Sequence, residues 1–423
     1  MSDRDLSVVV FGATGVTGRH VAAYLSTRAE EVGARWAVAG RDAAKLERVL
    51  GEIGVTAPET IVADVGAPAS LAAMASRTKV VLDLVGPYTL YGEPVIEACV
   101  AAGTHYVDLT AEMPFVRRMI DAHDERAAAA GVKVVEVSGF EAFPPDLAVA
   151  LAAETARQRW DEDLSEVDLA VTTQQPTGRR LGLADIVSGG TMQSIAEALA
   201  DEGAESFTDA AVLVPDPEAA GRVRERSPIA LAPRFNARGD VIAPMAPAAF
   251  INPAVIQRTA ALAAGERGAT FQPFRYREGI AMPGSGATLP LRFVGAAFLA
   301  GTQAVFGALT RAQPSVRRRV ADFLRRALPS SGFGPKGEKL EGWTWQVAVD
   351  ARTAGGHYVR VDLDADGHPG YLSTARMLGE AGLLLAEDGA TPGRGGCLTP
   401  AAALGTGSLD RFGRAGLRLS VSS

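Results

Sequence analysis

A glycine-rich turn near the start of the chain is the clearest indication of chemistry in the sequence. It follows the β-rich run VVVF, opens a helical pattern, and consists of Gly12, Ala13, Thr14, Gly15, Val16, Thr17 and Gly18. Glycines at three-residue spacing let the backbone turn sharply and approach a pyrophosphate, which then lies on the N-terminus of the helix. A tight turn without a ligand is the plainer interpretation, but a strand before the motif and a helix after it are the context that dinucleotide binding requires. The sequence therefore predicts a dinucleotide cofactor bound by these residues.

The end of the second predicted strand indicates which dinucleotide is bound. Folds that bind NAD usually place an acid there, whereas this chain has Arg41, with Lys45 one helical turn further on. A guanidinium suits the 2′-phosphate of NADP, which an acid would repel, so we expect NADP(H) with Arg41 and Lys45 among its contacts. A solvated arginine at the start of a helix is the alternative. Asp64, at the end of the third strand, is expected either to border the adenine or to cap a helix.

Two further segments follow strands at the same edge of the predicted sheet and are candidates for the nicotinamide end. They are Val85, Gly86, Pro87 and Tyr88 after the fourth strand, and Ser138, Gly139, Phe140 and Glu141 after the sixth. Ligands of open α/β sheets bind at the carboxyl ends of the strands. Tyr88 and Tyr91 are the candidate catalytic residues, because a phenol can donate a hydrogen bond to a developing oxyanion. Packing of the two rings onto the next helix is the alternative.

The elements that must position these residues form an α/β architecture in the first third of the chain. Short β-rich runs alternate there with Ala-rich helical patterns: LSVVVFG, ARWAVAG, ETIVAD, KVVLDLVG, THYVDL and VKVVEVSG. Most of these runs are apolar on both faces, as in a parallel sheet that lies between helices. We therefore expect a Rossmann-type, doubly wound parallel sheet that forms an NADP-binding domain over residues 1–145.

The rest of the chain has a different pattern. The runs VDLAVTTQ, FRYREGIAM, GWTWQVAVDAR and HYVRVDLDA indicate a mainly antiparallel sheet. Residues 146–369 are therefore expected to form an α+β domain for substrate binding and dimerisation, in which residues 202–257, rich in Pro, Ala and Arg, form long loops. Residues 370–423 are expected to form helices that pack back on the Rossmann domain.

Composition excludes several classes of protein. A net charge of −7 argues against a nucleic-acid partner, which would need a basic face. Cys99 and Cys397 are too few for a disulfide framework, and the sequence holds no metal-binding motif. Charged residues occupy the N-terminus where a signal peptide would be apolar, so we expect a cytoplasmic protein, with a peripheral position at the inner membrane as a further option.

An apolar stretch followed by a basic one stands out at residues 293–326. Phe293 to Thr310 carries no charge, and residues 311–326 contain six arginines and one acid, Asp322. The uncharged stretch falls short of the ~20 apolar residues of a membrane-spanning helix. Docking on an anionic membrane or an acidic protein is one interpretation, and a buried core helix beside a solvated one is the other.

Several motifs resemble the saccharopine dehydrogenase-like oxidoreductases: GATGVTG at 12–18, AGR at 39–41, VGPYTLYGEPVIEAC at 85–99 and YVDLTAE at 106–112. With SGFEAFPPDL at 138–147, SGGT at 188–191, GYLSTARMLGEAGL at 370–383 and LTPAAALG at 398–405, the chain is most similar to the mycobacterial and actinobacterial trans-acting enoyl reductases. Members of that family partner polyketide synthases that lack a working enoyl reductase domain. Residues 138–142 read SGFEA where the family commonly has Cys-Gly-Phe-Asp-Ser.

The resemblance implies an NADPH-dependent reductase of the C=C bond of an α,β-unsaturated acyl or polyketide thioester, small or carrier-bound, in lipid or polyketide biosynthesis. Tyr88 or Tyr91 would then hold the enolate or relay the proton, with Glu112 and Asp146 orienting them. A polyketide synthase that docks on residues 293–326 and a homodimer are further expectations.

Two alternatives stay open. One is a saccharopine-type reductase of an imine or amino-acid derivative, in which Arg179 and Arg180, or Arg275, would bind the substrate carboxylate. The other is a non-catalytic, NADP-binding scaffold associated with lipid.

Replacement of Arg41 by alanine tests the cofactor assignment. Loss of a charge-assisted hydrogen bond worth about 1.5–3 kcal/mol should lower the preference for NADPH over NADH by about ten- to a hundredfold. Fluorescence titration of both cofactors measures the two dissociation constants. Arg35→Ala, just before the second strand, is the matched control, and an unchanged preference in Arg41→Ala would contradict the assignment.

Overall fold

The computed structural model describes residues 4–176, 189–245, 247–284, 286–327 and 337–423, which form two seven-stranded sheets. The strands are β1 (Leu6–Phe11), β2 (Trp36–Gly40), β3 (Thr60–Val62), β4 (Thr78–Asp83), β5 (His105–Val107), β6 (Lys133–Val135), β7 (Leu164–Gln174), β8 (Arg234–Phe235), β9 (Val241–Ala243), β10 (Arg275–Ala281), β11 (Thr344–Thr353), β12 (Tyr358–Asp366), β13 (Gly396–Leu398) and β14 (Arg418–Ser422). The helices are α1 (Val16–Glu31), α2 (Ala43–Glu52), α3 (Pro68–Ser76), α4 (Tyr88–Ala102), α5 (Met113–Ala129), α6 (Phe143–Trp160), α7 (Gly189–Ala200), α8 (Pro217–Arg226), α9 (Ala248–Glu266), α10 (Leu289–Thr310), α11 (Pro314–Ala327), α12 (Thr374–Ala386) and α13 (Pro400–Leu404).

The first sheet is parallel throughout and runs in the order β3-β2-β1-β4-β5-β6-β13. Its strands are buried on both faces: Val8 and Val10 belong to one apolar cluster, and Val9 and Phe11 to the cluster on the other side. The strand order reverses between β1 and β4, which creates a crevice at the carboxyl edge of the sheet. The predicted doubly wound fold is confirmed.

The second sheet runs in the order β14-β12-β11-β7-β10-β9-β8 and is antiparallel except where β7 pairs with β10. Helix α6 leads into this sheet and packs on β11 and β12. One apolar cluster extends from Val8 of β1 through Leu147 of α6 to Val347 of β11. The two sheets therefore share a core, and the predicted mainly antiparallel second sheet is confirmed.

The last fifty residues contribute to both sheets. Strand β13 extends the first sheet beside β6, and β14 extends the second beside β12. Helix α12 packs so closely on α1 that a Cβ at Gly379 would lie 2.5 Å from the Tyr24 ring. Glu380, fully buried, accepts from Arg28 Nε and from the Tyr24 hydroxyl, each at 2.6 Å. A buried ion pair thus joins α12 to α1.

Two expectations for the middle of the chain are wrong. Residues 202–257 contain α8, β8, β9 and the start of α9 rather than long loops. Helix α9 is buried on nearly all sides and contains Pro253, so its sequence shows neither amphipathic spacing nor an uninterrupted helical pattern. The apolar stretch is also longer than expected, since the helical segment Gly286–Thr310 is long and apolar enough to cross a membrane by length and composition alone.

The pair of Arg28 and Glu380 predicts a measurable loss of stability. Arg28→Met would leave a buried carboxylate without its cation, so we expect the free energy of unfolding to fall by about 3 kcal/mol in urea denaturation. Arg126→Met is the matched control, because Arg126 pairs with Glu97 at the surface and its loss should cost at most about 1 kcal/mol. Equal effects of the two substitutions would contradict the role of the buried pair.

Candidate functional site

The glycine-rich turn between β1 and α1 is closed tightly against the end of β4. Gly12 has a φ of 92°, and a Cβ there would lie 2.9 Å from the carbonyl carbon and oxygen of Leu84. A Cβ at Gly18 would lie 2.8 Å from Ala13 Cα and closer still to Gly12 O. Only glycine fits at these two positions, so the backbone forms a narrow cradle at the point where the strand order reverses.

The first turn of α1 is suited to a bound anion. Gly15 is its N-cap and supplies no side-chain hydrogen bond, and the first turn contains no acid. Thr14, Val16 and Thr17 are half-buried around this helix end, while Ala13 is buried beneath it. Amide groups and the helix dipole therefore face the cradle without a competing carboxylate, which fits the pyrophosphate of a dinucleotide.

The structure places Arg41 and Lys45 at the surface where β2 ends. Both side chains are exposed, and the intervening Asp42 caps α2 by accepting from the Lys45 backbone amide at 2.9 Å. The open guanidinium of Arg41 agrees with a contact to a 2′-phosphate. Asp64 is half-buried and accepts from the Gly66 amide at 2.8 Å, so its carboxylate closes a turn after β3.

A buried glutamate fixes the loop that follows β4. Glu112 accepts from the backbone amides of Tyr88 at 3.0 Å and Thr89 at 2.7 Å, and so caps the N-terminus of α4. Gly86 is exposed at the tip of this loop, Val85 is half-buried and Pro87 is buried. Glu112 therefore positions the loop that borders the crevice. Glu112 is predicted from the sequence to orient a tyrosine hydroxyl, but its carboxylate accepts from backbone amides instead.

Helix α4 carries two tyrosines: Tyr88, which is buried, and Tyr91, which is exposed. The Tyr88 hydroxyl donates to the Asp83 backbone oxygen at 3.0 Å, and its side chain is 4% exposed. Burial also raises the pKa of Tyr88 well above its usual value. These contacts agree with the packing alternative for Tyr88, whose catalytic role is still only predicted. Tyr91 is 37% exposed, and its assignment stays a prediction.

A buried acid network lies directly under the crevice. The Tyr106 hydroxyl contacts Asp83 Oδ2 at 3.2 Å and Asp108 Oδ2 at 3.0 Å, and burial raises the pKa of both carboxyl groups. Asp108 Oδ1 also accepts from the amides of Thr110 and Val137. Val137 has a φ of 61°, which is rare for a β-branched residue. Asp108 therefore holds a strained backbone at the end of β6, where functional sites commonly store strain.

The segment after β6 is covered by the second half of the chain. Gly139 and Phe140 are buried, and the Phe140 ring packs edge-on against Trp345 with 4.9 Å between ring centroids. The Phe140 amide donates to Thr374 Oγ1 at 3.2 Å. Contact of this pair with a cofactor stays a prediction, since both the ring and the amide of Phe140 already have protein partners.

Glu141 is the last residue of the segment that the sequence predicts to contact the nicotinamide. Its carboxylate folds back over Gly139, where a Cβ would lie 2.7 Å from Oε2. The residue is half-buried, and burial raises its pKa, which favours the protonated carboxyl. Contact of Glu141 with the cofactor stays a prediction.

A second buried acid supports the Glu141 backbone. Asn252 Nδ2 of α9 donates to Glu141 O at 2.7 Å and to Glu278 Oε2 at 2.8 Å. The Tyr276 hydroxyl also donates to Glu278 Oε2, at 2.6 Å. Burial raises the pKa of Glu278 to about 7. No sequence motif links these residues, because the packing of α9 and β10 against the start of α6 brings them together.

Four other polar residues are predicted from the sequence to act at the site: Asp146, Arg179, Arg180 and Arg275. Asp146 accepts from Thr259 Oγ1 at 2.6 Å and from the Ala401 amide at 2.8 Å, so it joins α6 to α9 and α13 instead of orienting a tyrosine. Arg275 is exposed at the start of β10. Arg179 and Arg180 lie outside the described residues.

Comparison with known proteins places this site in a family. A family model described as the saccharopine dehydrogenase NADP binding domain matches residues 8–135. Relatives named trans-acting enoyl reductase are 32% identical over 438 residues in Mycobacterium ulcerans and over 434 residues in Mycobacterium leprae. The alignments cover 100% and 99% of this chain, and 99% and 98% of the relatives. A relative from Mycobacterium tuberculosis whose name contains the same words is 33% identical, with 99% and 98% covered. The chain belongs to the trans-acting enoyl reductase family.

Membership of the trans-acting enoyl reductase family confirms the predicted enzyme class and cofactor. The protein is an NADP-dependent oxidoreductase that binds NADP(H). Its overall fold is similar to apo saccharopine dehydrogenase (L-Glu forming) from Saccharomyces cerevisiae, with a TM-score of 0.50, 13% identity, and 98% and 99% of the two chains covered. At this level of identity, the structural likeness supports the fold of two sheets and no functional property.

The raised pKa of Glu278 predicts a pH dependence of stability. Burial holds the pKa of the native Glu278 carboxyl at about 7, whereas the unfolded carboxyl loses its proton near the ordinary glutamate pKa of 4.5. Between these values the native state binds more protons, so the free energy of unfolding falls as pH rises. Glu278→Gln should make that slope shallower by about 1.4 kcal/mol per pH unit in urea denaturation. Glu125→Gln, an exposed control, should leave the slope unchanged. An unchanged slope in Glu278→Gln would contradict the assignment.

Proposed function

We propose that this NADP-dependent oxidoreductase reduces the C=C bond of an α,β-unsaturated acyl thioester. The family supports a reductase of this class, and the observation that carries the finer proposal is the position of Glu141. A carboxyl group whose pKa is raised by burial lies over Gly139 at the edge of the sheet where the nicotinamide end is expected. A pKa shifted in this direction suits a carboxyl group to the role of proton donor.

The reaction needs three things from its catalyst. Bound NADPH supplies a hydride to the β-carbon of the substrate. The protein must stabilise negative charge on the thioester oxygen and deliver a proton to the α-carbon. Glu141 is our candidate for the proton donor, and Asn252 positions it through the hydrogen bond to the Glu141 backbone oxygen. Tyr91 is the candidate hydrogen-bond donor at the outer side of the crevice.

Apolar residues at the edge of the sheet favour an acyl substrate. Leu84 follows β4 and Leu109 follows β5, and both are partly buried hydrophobic residues that border the first core cluster. An acyl chain gains by contact with such side chains, whereas an amino-acid substrate would need a cation for its carboxylate. The word trans-acting in the relatives' names supports a substrate presented on a separate carrier, and a polyketide or lipid carrier is the partner that we propose.

Glu141→Gln tests the proposed proton donor. The amide keeps the shape of the side chain and cannot protonate the α-carbon, so turnover should fall by about a hundredfold or more while NADPH binding is retained. Steady-state oxidation of NADPH measures turnover, and direct titration measures binding. Glu125→Gln, an exposed glutamate on α5, is the control that should behave as wild type. Turnover within a factor of two of wild type in Glu141→Gln would rule out this role.

Isotope transfer tests the reaction itself. The enzyme is supplied with 4-deuterated NADPH and a 2-methyl-2-enoyl pantetheine thioester, and the product is examined by mass spectrometry. We expect deuterium at the β-carbon. Bound NADPH with no transfer to this thioester or to its carrier-bound form would contradict the proposed reaction and would favour an imine substrate.

A further inference from the structure

Helices α10 and α11 present an apolar surface that no other part of the described chain covers. Four large side chains follow one another along α10 at helical spacing: Leu291, Val294, Phe298 and Val305, with exposed fractions of 73%, 66%, 70% and 61%. Phe323 of α11 is 67% exposed, and Val316 of the same helix 43%. We call these six residues, together with Arg319 and Arg326 of α11, the α10–α11 face. Large apolar side chains exposed at helical spacing on two successive helices mark an interaction site.

The opposite side of α10 is fixed to the protein. Gln303 Nε2 donates to Pro244 O at 2.7 Å, and Arg292 Nε donates to Met282 O at 2.9 Å. The Phe306 ring packs against Phe207 and Phe250, with centroid distances of 6.0 and 5.4 Å. Only 22% of the most apolar window of this helix is buried, although its mean hydropathy is 1.5. Helix α10 is therefore anchored along its length and cannot leave the protein to span a bilayer without losing these contacts.

The exposed arginines of α11 fall into two groups, those in ion pairs and those without an ion-pair partner among the described residues. Arg325 pairs with Glu197 and Asp322, and Arg318 lies 3.8 Å from Glu202. Arg319 and Arg326 are exposed and make no ion pair with any residue that the structure describes. Unpaired cations on a helix that also exposes Val316 and Phe323 are complementary to an anionic surface.

We infer that the α10–α11 face binds an anionic lipid surface, with α10 lying in the plane of the headgroups and the arginines of α11 against lipid phosphates. This goes beyond the proposed function, which needs no membrane. The apolar side chains enter the headgroup boundary as in other in-plane helices, and α10 stays attached to the protein through Gln303 and Arg292.

Two features favour lipid over a protein partner. Helix α10 offers no charged group between Phe293 and Thr310, whereas a specific protein interface needs polar groups to pair across its rim. A symmetric contact that paired the α11 helices of two copies would also bring their arginines together, and like charges oppose that arrangement. A lipid surface satisfies the apolar stripe without directional partners and the arginines with phosphate.

The surface is also connected to the candidate site. Pro244, which holds Gln303, lies between β9 and α9, and α9 carries Asn252, the residue bonded to Glu141 O. Helix α10 is thus joined to the candidate site through the start of α9.

Vesicle flotation of the full-length protein tests the inference. We expect the wild type to float with vesicles of phosphatidylcholine and phosphatidylglycerol at low salt, and much less with phosphatidylcholine alone. The double variant Leu291→Ser/Phe298→Ser should lose at least about tenfold in vesicle affinity, and Arg319→Glu/Arg326→Glu should lose a similar factor on the anionic vesicles only. NADPH titration confirms that each variant is folded.

Matched controls replace residues of the same types elsewhere. Leu419→Ser/Val421→Ser removes two exposed apolar side chains of β14, and Arg35→Glu/Arg414→Glu reverses two exposed arginines. Both should bind vesicles as the wild type does. The inference is overturned if the wild type ignores anionic vesicles or if the apolar variant binds like the controls. It is also overturned if the wild type is a dimer in analytical ultracentrifugation that Phe298→Ser converts to a monomer, since a second copy would then occupy the face.

Discussion

The close contact between the ends of β1 and β4 is the constraint on which the rest of the site depends. Gly12 lies so near the Leu84 carbonyl that no side chain fits between them, and Gly18 lies equally near the turn itself. The contact leaves the amides at the start of α1 facing a narrow crevice, where an anion can approach the backbone. It also sets the path of the loop after β4, which Glu112 then fixes from the far side by capping α4.

Buried acids organise the site around that crevice. Asp108 connects the ends of β5 and β6 and holds Val137 in a strained conformation. Glu278 connects β10 to α9, and through Asn252 to the backbone of Glu141. Burial raises the pKa of each of these three acids, which favours their protonated forms. Burial disfavours the charged carboxylate of each acid. In Glu141 the resulting shift towards the protonated form suits its proposed role as proton donor.

The sequence predicts those parts of the fold that local pattern determines. All six β-rich runs of the first domain are strands, because parallel strands buried on both faces leave continuous apolar runs, and the glycine turn occupies its expected place. Helix α9 was missed because a helix buried on all sides has no polar face. The catalytic role of Tyr88 stays a prediction, because its type and position are equally compatible with the inward packing that the structure shows. Glu141, Asn252 and Glu278 come from three distant segments, so only tertiary packing reveals their contact.

Titration of NADPH into Gly18→Ala tests the central claim most directly. The added methyl group would meet Ala13 Cα at 2.8 Å, so the turn must open and its amides must lose their alignment. The account predicts that NADPH affinity falls by about a hundredfold or more while far-ultraviolet circular dichroism stays that of the wild type. Gly221→Ala, where an added Cβ meets nothing within 4 Å, should bind NADPH as the wild type does. Wild-type affinity in a folded Gly18→Ala protein would contradict the account.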